Sequence, residues 1–360
     1  MRTSSGHIRP ISRTVGAAPA APRVRRALLR WYRARRRALP WRGETDPYKI
    51  LVSEVMLQQT TVPAVVPYYE RWIALFPNVE SLGRAPLRKV LKAWQGLGYY
   101  QRARNLRAAA QVVVDRHGGR VPDDPAGIAK LPGVGPYTAA AVLSIAFGKP
   151  YPVIDANVRR LMMRFLAIRD EAVAGRDAKI RPFLEAAISR RSPGDFNQAL
   201  MELGGRVCRS RRPLCAGCPV RADCAAFAKG IQEIIPAPRT KTTKRIEAVV
   251  AVVERDGAYL IRKRPERGLL GGLWEFPGGK REPGETRTAA LRRELREEVG
   301  VPSRDEKLLV KVRHAYTQFQ VDLYAYRCAL AGEPRPRPGR LTWATLAALR
   351  RYPFPSGSAK

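Results

Sequence analysis

Four of the chain's five cysteines, Cys208, Cys215, Cys218 and Cys224, fall within seventeen residues in the spacing C-x6-C-x2-C-x5-C. Nothing else restricts the fold as tightly. Thiols this close converge once the chain folds back on itself, and four converging thiols make the donor set of one metal centre. Zinc stays open as the metal, although the spacing is not the paired CxxC…CxxC of ribbon sites. A disulfide pair is disfavoured, because the first residues lack the apolar core of a secretory signal. Cys328 stands alone in an apparent strand and reads as core.

Formal net charge is +35 over 360 residues, with 45% hydrophobic residues. Such a basic balance favours polyanions, nucleic acid first and a membrane surface second, unless arginine bias inflates it. The length suits two or more domains, and no apolar run reaches the length of a membrane span. Through Gly43 there are twelve arginines and no acid. Residues 1–24 read as a disordered basic tail. The run VRRALLRWYRARRRALPWR carries Leu28, Leu29, Trp31 and Tyr32 at helical spacing and predicts a basic helix ended by Pro40. Trp41 and Arg42 follow on a loop, where they face a base or serve the core.

Asp46-Pro47 reads as a helix start, leading into YKILVSEVMLQQT. Glu54 sits there among apolar neighbours, with Gln58 one turn on. Burying a carboxylate raises its pKa, as a general acid requires; a surface Glu is the plainer alternative. WQGLGYYQRARNL places two tyrosines beside arginines, which suits stacking on bases and holding phosphates, or a core role. In LPGVGPYTAAAVLSIAFGKPYPVIDANVR, Gly133-Val134-Gly135 precede an apolar helix. A Gly-x-Gly turn at a helix start presents N–H groups and a positive dipole end to an anion, though a tight turn explains it as well. Asp155 follows at the head of a second helix.

LPWR, SEVMLQQT, GLGYYQRARNL, LPGVGPYTA, VIDANVRR, FNQALMELG and the four-cysteine loop run in order from Leu39 to Cys224. Together they resemble the MutY-type adenine DNA glycosylases of the helix-hairpin-helix superfamily. The resemblance implies an all-α glycosylase over 25–228, with a six-helix barrel at 46–155 and a cluster domain from 25–45 and 156–228. It implies a [4Fe–4S] cluster on the four cysteines, and adenine flipped out of the duplex before excision. Glu54 matches the general acid, Asp155 the carboxylate that stabilises the oxocarbenium-like sugar, and Asn157 a residue that orients it. Arg37, Trp41, Arg42 and Gln198 match the adenine pocket, and Gln59 and Tyr99 residues that wedge beside the opposing base. The Gly133–Gly135 hairpin would hold the DNA backbone. Tyr137 stands where strand-cutting relatives carry a Lys; a phenol forms no Schiff base, so base release without strand cleavage is expected.

Residues 229–245, rich in Pro, Lys and Thr, read as a linker. From Ile246 the pattern is β, with Asp256-Gly257 as a hairpin turn. The stretch Gly279, Glu285, Arg293, Glu294, Leu295, Glu297, Glu298, Gly300, Val301 meets every position of G-x5-E-x7-R-E-U-x-E-E-x-G-U, with U aliphatic, and resembles the Nudix box. Glu294, Glu297 and Glu298 share one helical face, a set of oxygen ligands suited to magnesium or manganese. An α+β Nudix-like domain over 246–360 is therefore expected. In the MutY family the corresponding domain reads 8-oxoguanine opposite adenine and has generally lost these carboxylates; here they are intact, as in MutT-type hydrolases. The family's Phe-Ser-His recognition core is replaced by Tyr316-Thr317-Gln318, which keeps a stacking ring and a hydroxyl.

The leading expectation is a monofunctional glycosylase excising adenine opposite 8-oxoguanine or guanine in duplex DNA, whose carboxy-terminal domain either reads 8-oxoguanine alone or also hydrolyses 8-oxo-dGTP. Two others stand beside it: a Nudix pyrophosphohydrolase tethered to DNA by its helical half, and a glycosylase for another mispair. A monomer is expected, in the cytoplasm and at the nucleoid if the source is bacterial, with no membrane partner.

Overall fold

Prolines and capping carboxylates set the helix boundaries. The computed structural model describes residues 20–169, 172–237, 244–266, 268, 270–315, 319–335, 339–355 and 357–358. Helix α1 (Ala21–Arg35) has a proline in its first turn and buries Ala21, Val24, Leu28 and Tyr32. It thus begins inside the stretch expected as a tail, because its first turn already meets the core; residues 1–19 lie outside the described residues. Asp46 caps α2 (Pro47–Leu57), accepting from the Tyr48 N–H at 2.9 Å. α3 (Val62–Leu75), α4 (Val79–Arg84), α5 (Leu87–Ala93) and α6 (Gln101–His117) follow. Asp124 caps α7 (Pro125–Ile128), accepting from Ala126 and Gly127 N–H groups at 3.0 and 2.8 Å. Then come α8 (Pro136–Ile145), α9 (Ala156–Phe165), α10 (Val173–Ala187), α11 (Pro193–Arg206) and, after the cysteine loop, α12 (Ala225–Ala228). Among the described residues no helix is long and apolar enough to cross a membrane.

One buried cluster joins Leu28 and Tyr32 of α1 to Val158 and Leu161 of α9, Leu184 of α10, and Phe196 and Leu203 of α11. Cys208, Val220 and Ala226 belong to the same cluster, so the cysteine loop is core and not an appendage. Each such buried aliphatic side chain contributes about 1.5–3 kcal/mol.

The chain divides into two compact units, Met1–Arg84 with Asn105–Thr240, and Ala85–Arg104 with Lys241–Lys360. The segment Ala85–Arg104, expected within the helical barrel, thus groups with the second unit. Within that unit the Tyr100 hydroxyl donates to the Phe354 carbonyl at 3.2 Å, and the Lys92 ammonium to the Tyr352 carbonyl at 3.1 Å.

In the second unit, β1 (Lys244–Val252) begins just ahead of the expected linker end, followed by β2 (Glu254–Arg255), β3 (Ala258–Lys263), β4 (Trp274–Glu275) and β5 (Gly278–Lys280). After α13 (Arg287–Glu298) come β6 (Ser303–Ala315), β7 (Phe319–Leu330), β8 (Leu341–Thr345) and α14 (Leu346–Leu349). One sheet has the order β5-β1-β7-β6; the other runs β2-β3-β4, with β8 on β3. β1 is parallel to β7, in register Val249↔Tyr324, and the other pairs are antiparallel. Asp256 and Gly257 take φ of 50° and 72°, the left-handed pair that a two-residue hairpin needs. α13 packs Ala290, Leu291 and Leu295 on Val249, Ala251 and Tyr324, with Cys328 in the same core.

Candidate active site and metal centres

Eight of the expected site residues, Arg37, Trp41, Arg42, Glu54, Tyr137, Asp155, Asn157 and Gln198, line a single cavity of about 440 Å³. That volume is within the range of small-molecule sites. Glu54 reaches it from α2 and is buried. Burial pushes its carboxyl up to about 7; the Tyr137 hydroxyl, donating at 2.6 Å, opposes the shift, the nearby Asp155 charge adds to it and Arg42 subtracts. Tyr137 comes from the first turn of α8, and its own phenol is held far above its usual value by burial. It cannot ionise here.

Asp155 caps α9. Its carboxylate accepts from the Val158 N–H at 2.6 Å and from the Asn157 amide at 3.2 Å. Burial raises its pKa and these donors restrain the rise. Asn157 is held in turn by Arg160, whose guanidinium donates to Asn157 Oδ1 at 3.1 Å, to the Gly204 carbonyl at 2.6 Å and to the Cys208 carbonyl at 3.0 Å. Gly204 approaches Asn157 so closely that an added Cβ would stand 2.9 Å from its carbonyl oxygen.

Glu202, on α11, is 2% exposed at the cavity wall. It receives Arg37 at 2.8 Å, Arg42 at 3.0 Å and Arg206 at 3.2 Å. Burial pushes its carboxyl up, but the three guanidiniums outweigh this and its pKa falls. Arg42 also donates to the Gln198 side-chain carbonyl. Trp41 is buried and meets Tyr69 edge-on at 5.2 Å between ring centroids. These contacts fix the polar wall of the cavity.

At the hairpin ahead of α8, Gly133 has φ of 77°, and an added Cβ would stand 2.6 Å from the Asn105 Cβ. Both conditions demand glycine. Gly133 and Gly135 are exposed while Val134 is buried, so the turn is pinned by its apolar residue and offers its backbone outward. The first turn of α8 holds no acid that would cancel the positive dipole end. Gln59, just past α2, is exposed with φ of 58°. Tyr99 is half-buried with φ of 46° and belongs to the second unit.

The four cysteines of the 208–224 loop line one pocket with Leu161, Phe165, Val220 and Phe227. Burial raises the Cys218 thiol to about 11, and the neighbouring sulfurs add to the rise. Beside them Arg164 is 2% exposed and bonds Cys208 Sγ at 3.3 Å, and the carbonyls of Arg209 at 2.6 Å, Ser210 at 3.1 Å and Ile235 at 2.6 Å.

In the second unit Glu294, Glu297 and Glu298 share a face of α13 as expected, but arginines take them. Glu298 meets Arg262 at 2.5 Å, and Arg293 meets Glu294 at 3.0 Å and Glu297 at 3.6 Å. Among the described residues, no three His, Cys, Asp or Glu side chains are placed to hold a single metal ion. Arg262 and Arg293 thus stand beside the carboxylates that spacing offers to magnesium or manganese. Tyr316, Thr317 and Gln318 lie outside the described residues.

The profile described as HhH-GPD superfamily base excision DNA repair protein matches residues 52–181, and that of the NUDIX domain residues 248–360. The adenine DNA glycosylase of Homo sapiens is 35% identical over 86% of this chain and 67% of its own length. That of Rattus norvegicus is 36% identical over 86% of this chain and 71% of its own. The chain belongs to the adenine DNA glycosylases. The solved structure of a thermostable thymine-DNA glycosylase is also similar, at 32% identity with a TM-score of 0.53, covering 58% of this chain and 99% of that one. The adenine DNA glycosylase relatives match a larger share of this chain, 86%.

Three residues of this adenine DNA glycosylase escaped the sequence reading. Glu202 lies in FNQALMELG, and an acid one turn after Gln198, flanked by Met201 and Leu203, was a usable signal. Arg160 and Arg164, in VIDANVRRLMMRF, carry no signal in the sequence that sets them apart from the chain's other arginines. Their spacing places both on the α9 face toward the cysteine loop, which only the packing of that loop makes visible.

Proposed function

We propose that this adenine DNA glycosylase removes adenine facing 8-oxoguanine or guanine in duplex DNA and leaves the strand uncut. The observation that carries this is the cavity where a protonatable Glu54 and a hydrogen-bonded Asp155 face one space walled by the Glu202–arginine cluster. A flipped adenine enters that space. Glu54, about half protonated near neutral pH, transfers its proton to the ring and makes adenine a better leaving group. Tyr137 donates to Oε2, so the transferable proton sits on Oε1. As the glycosidic bond breaks, positive charge grows on the sugar and the ionised Asp155 stabilises it, with Asn157 fixing the carboxylate's direction; a water then adds to the anomeric carbon and gives a proton back to the Glu54 carboxylate, leaving an abasic sugar. The Gly133–Gly135 hairpin holds the phosphate backbone. Gln59 and Tyr99 act on the opposing strand.

Base release from duplexes with adenine opposite 8-oxoguanine, guanine or thymine tests the reading. Release from the first two and not the third is expected; equal release from all three counts against it. Because Tyr137 offers no amine, the purified protein should yield intact abasic strands until heat or alkali is added. Strand scission at the rate of base release would contradict this. Thr317 and Tyr316 are assigned to reading the damaged guanine, so Thr317→Val should narrow the preference for 8-oxoguanine over guanine.

The cysteine loop fits a [4Fe–4S] cluster. Four sulfurs share an apolar pocket, and a buried guanidinium, Arg164, faces them with carbonyls as its other partners. A buried cation of this kind is costly without an anion, which a thiolate-bound cluster supplies. When bound, the cluster ties the loop carrying Arg209, Arg211 and Arg212 to the core. Arg164→Met is expected to lower the iron content and the visible absorbance of the purified protein while Arg212→Met leaves both unchanged. Equal iron in all three proteins would refute the assignment.

A further inference from the structure

The Nudix carboxylates present a conflict between spacing and geometry. Three acids on one helical face call for a cation, and the cation beside them is a side chain. Arg262 rises from β3 and places Nη1 2.5 Å from Glu298 Oε1, and Nη2 and Nε each 3.0 Å from Glu275 Oε1. Side-chain exposure is 19% for Arg262, 12% for Glu298 and 9% for Glu275, so the three form a nearly buried set. Each carboxylate is held from its other side as well. Glu298 Oε2 accepts the Gly278 N–H at 2.9 Å, and Arg264 meets Glu275 Oε2 at 2.6 Å. Glu294 lies against the α-carbon of Gly279, where an added Cβ would stand 2.2 Å from its Oε1.

We propose that Arg262 is the resident cation of this centre: the protein holds its Nudix unit together without a divalent ion, and a magnesium or manganese site forms only when that guanidinium is removed. Guanidinium keeps its charge at any physiological pH and bonds two carboxylates through a rigid planar fork. A hard divalent ion needs several oxygens at close range and would take the Glu298 oxygen that Arg262 already holds. Its entry would leave a nearly buried guanidinium facing a like charge with its bonds broken. The box keeps Glu298 because, with Arg262 and Glu275, it forms an ion-pair set linking β3, β4 and α13. The inference is independent of how the helical unit acts on DNA.

The test uses the full-length protein with Mn²⁺ as the probe, following the resonance of free Mn²⁺ during titration and the melting temperature with and without the ion. Arg262→Met should gain a site at least about tenfold tighter than any in the wild type. Arg262→Met with Glu298→Gln should lose it, and Arg262→Lys should bind no better than wild type. Without Mn²⁺, Arg262→Met should melt lower than wild type, and the added Glu298→Gln should recover part of the loss by removing the uncompensated carboxylate. Wild-type binding as tight as that of Arg262→Met and abolished by Glu298→Gln would overturn the proposal, as would no gain in Arg262→Met. Should Arg262→Met not fold, wild type against Glu298→Gln decides: binding that the substitution removes overturns the proposal, and its absence supports it.

Discussion

Replacing Asp155 with asparagine should lower the single-turnover rate of adenine release by on the order of 10³-fold, with duplex affinity nearly unchanged. The substitution isolates charge from shape. An asparagine Oδ1 still accepts the Val158 N–H that caps α9, so the helix start and the neighbouring Asn157 stay in place. What disappears is the negative charge beside the sugar at the moment positive charge develops there, in a site where burial has removed the water that would otherwise compensate. An effect confined to binding, or a rate loss under about tenfold, would assign Asp155 to helix capping alone.

Glu54→Gln should cost on the order of 10²–10⁴-fold in the same assay and also change the pH profile. The acid is active when protonated. With its carboxyl pushed up to about 7, wild-type release should be fastest below that pH and fall as pH rises through it, approaching about tenfold per unit at higher pH. Asp155 must be ionised, so a second fall appears on the far acid side, set by its own raised pKa. In Glu54→Gln the alkaline fall should vanish, leaving a low rate that is flat from pH 6 to about 9. Tyr137→Phe should move the alkaline fall upward, because the hydroxyl at 2.6 Å favours the ionised carboxylate. An alkaline fall that survives in Glu54→Gln would place the titrating group elsewhere.

Much of this was legible where the deciding contacts are local. Of the two readings open for the glutamate among VSEVML the buried one holds, and the helix starts at Asp46 and Asp155 follow from residues within one turn. The Nudix helix displays its acids by periodicity alone, and Asp256-Gly257 declares its hairpin. Partners far away in the chain were not legible. Glu202 acquires meaning only when Arg37 and Arg42, more than a hundred and fifty residues earlier, are folded against it. Arg262 alternates along a strand like any solvent-facing residue until β3 and α13 are packed together. The same holds for Tyr100, one of two adjacent tyrosines that composition cannot separate: its hydroxyl goes to a backbone carbonyl in the second unit, while Tyr99 stays half-buried. Residue type announced the chemistry in each case, and topology chose the partner.

The guanidiniums around Glu202 bear on how the protein responds to ionic strength. Arg37, Arg42 and Arg206 are each bonded to that carboxylate before DNA arrives, so seating a base there exchanges few mobile ions with solution. Counterions are released where arginines meet phosphates, at a slope of about 0.9 per neutralised phosphate in log affinity against log salt. The salt dependence of duplex binding should therefore measure the backbone contacts made elsewhere and be nearly the same for a duplex with or without an extrudable adenine. Discrimination between those two duplexes would then persist at salt concentrations that weaken the binding of both.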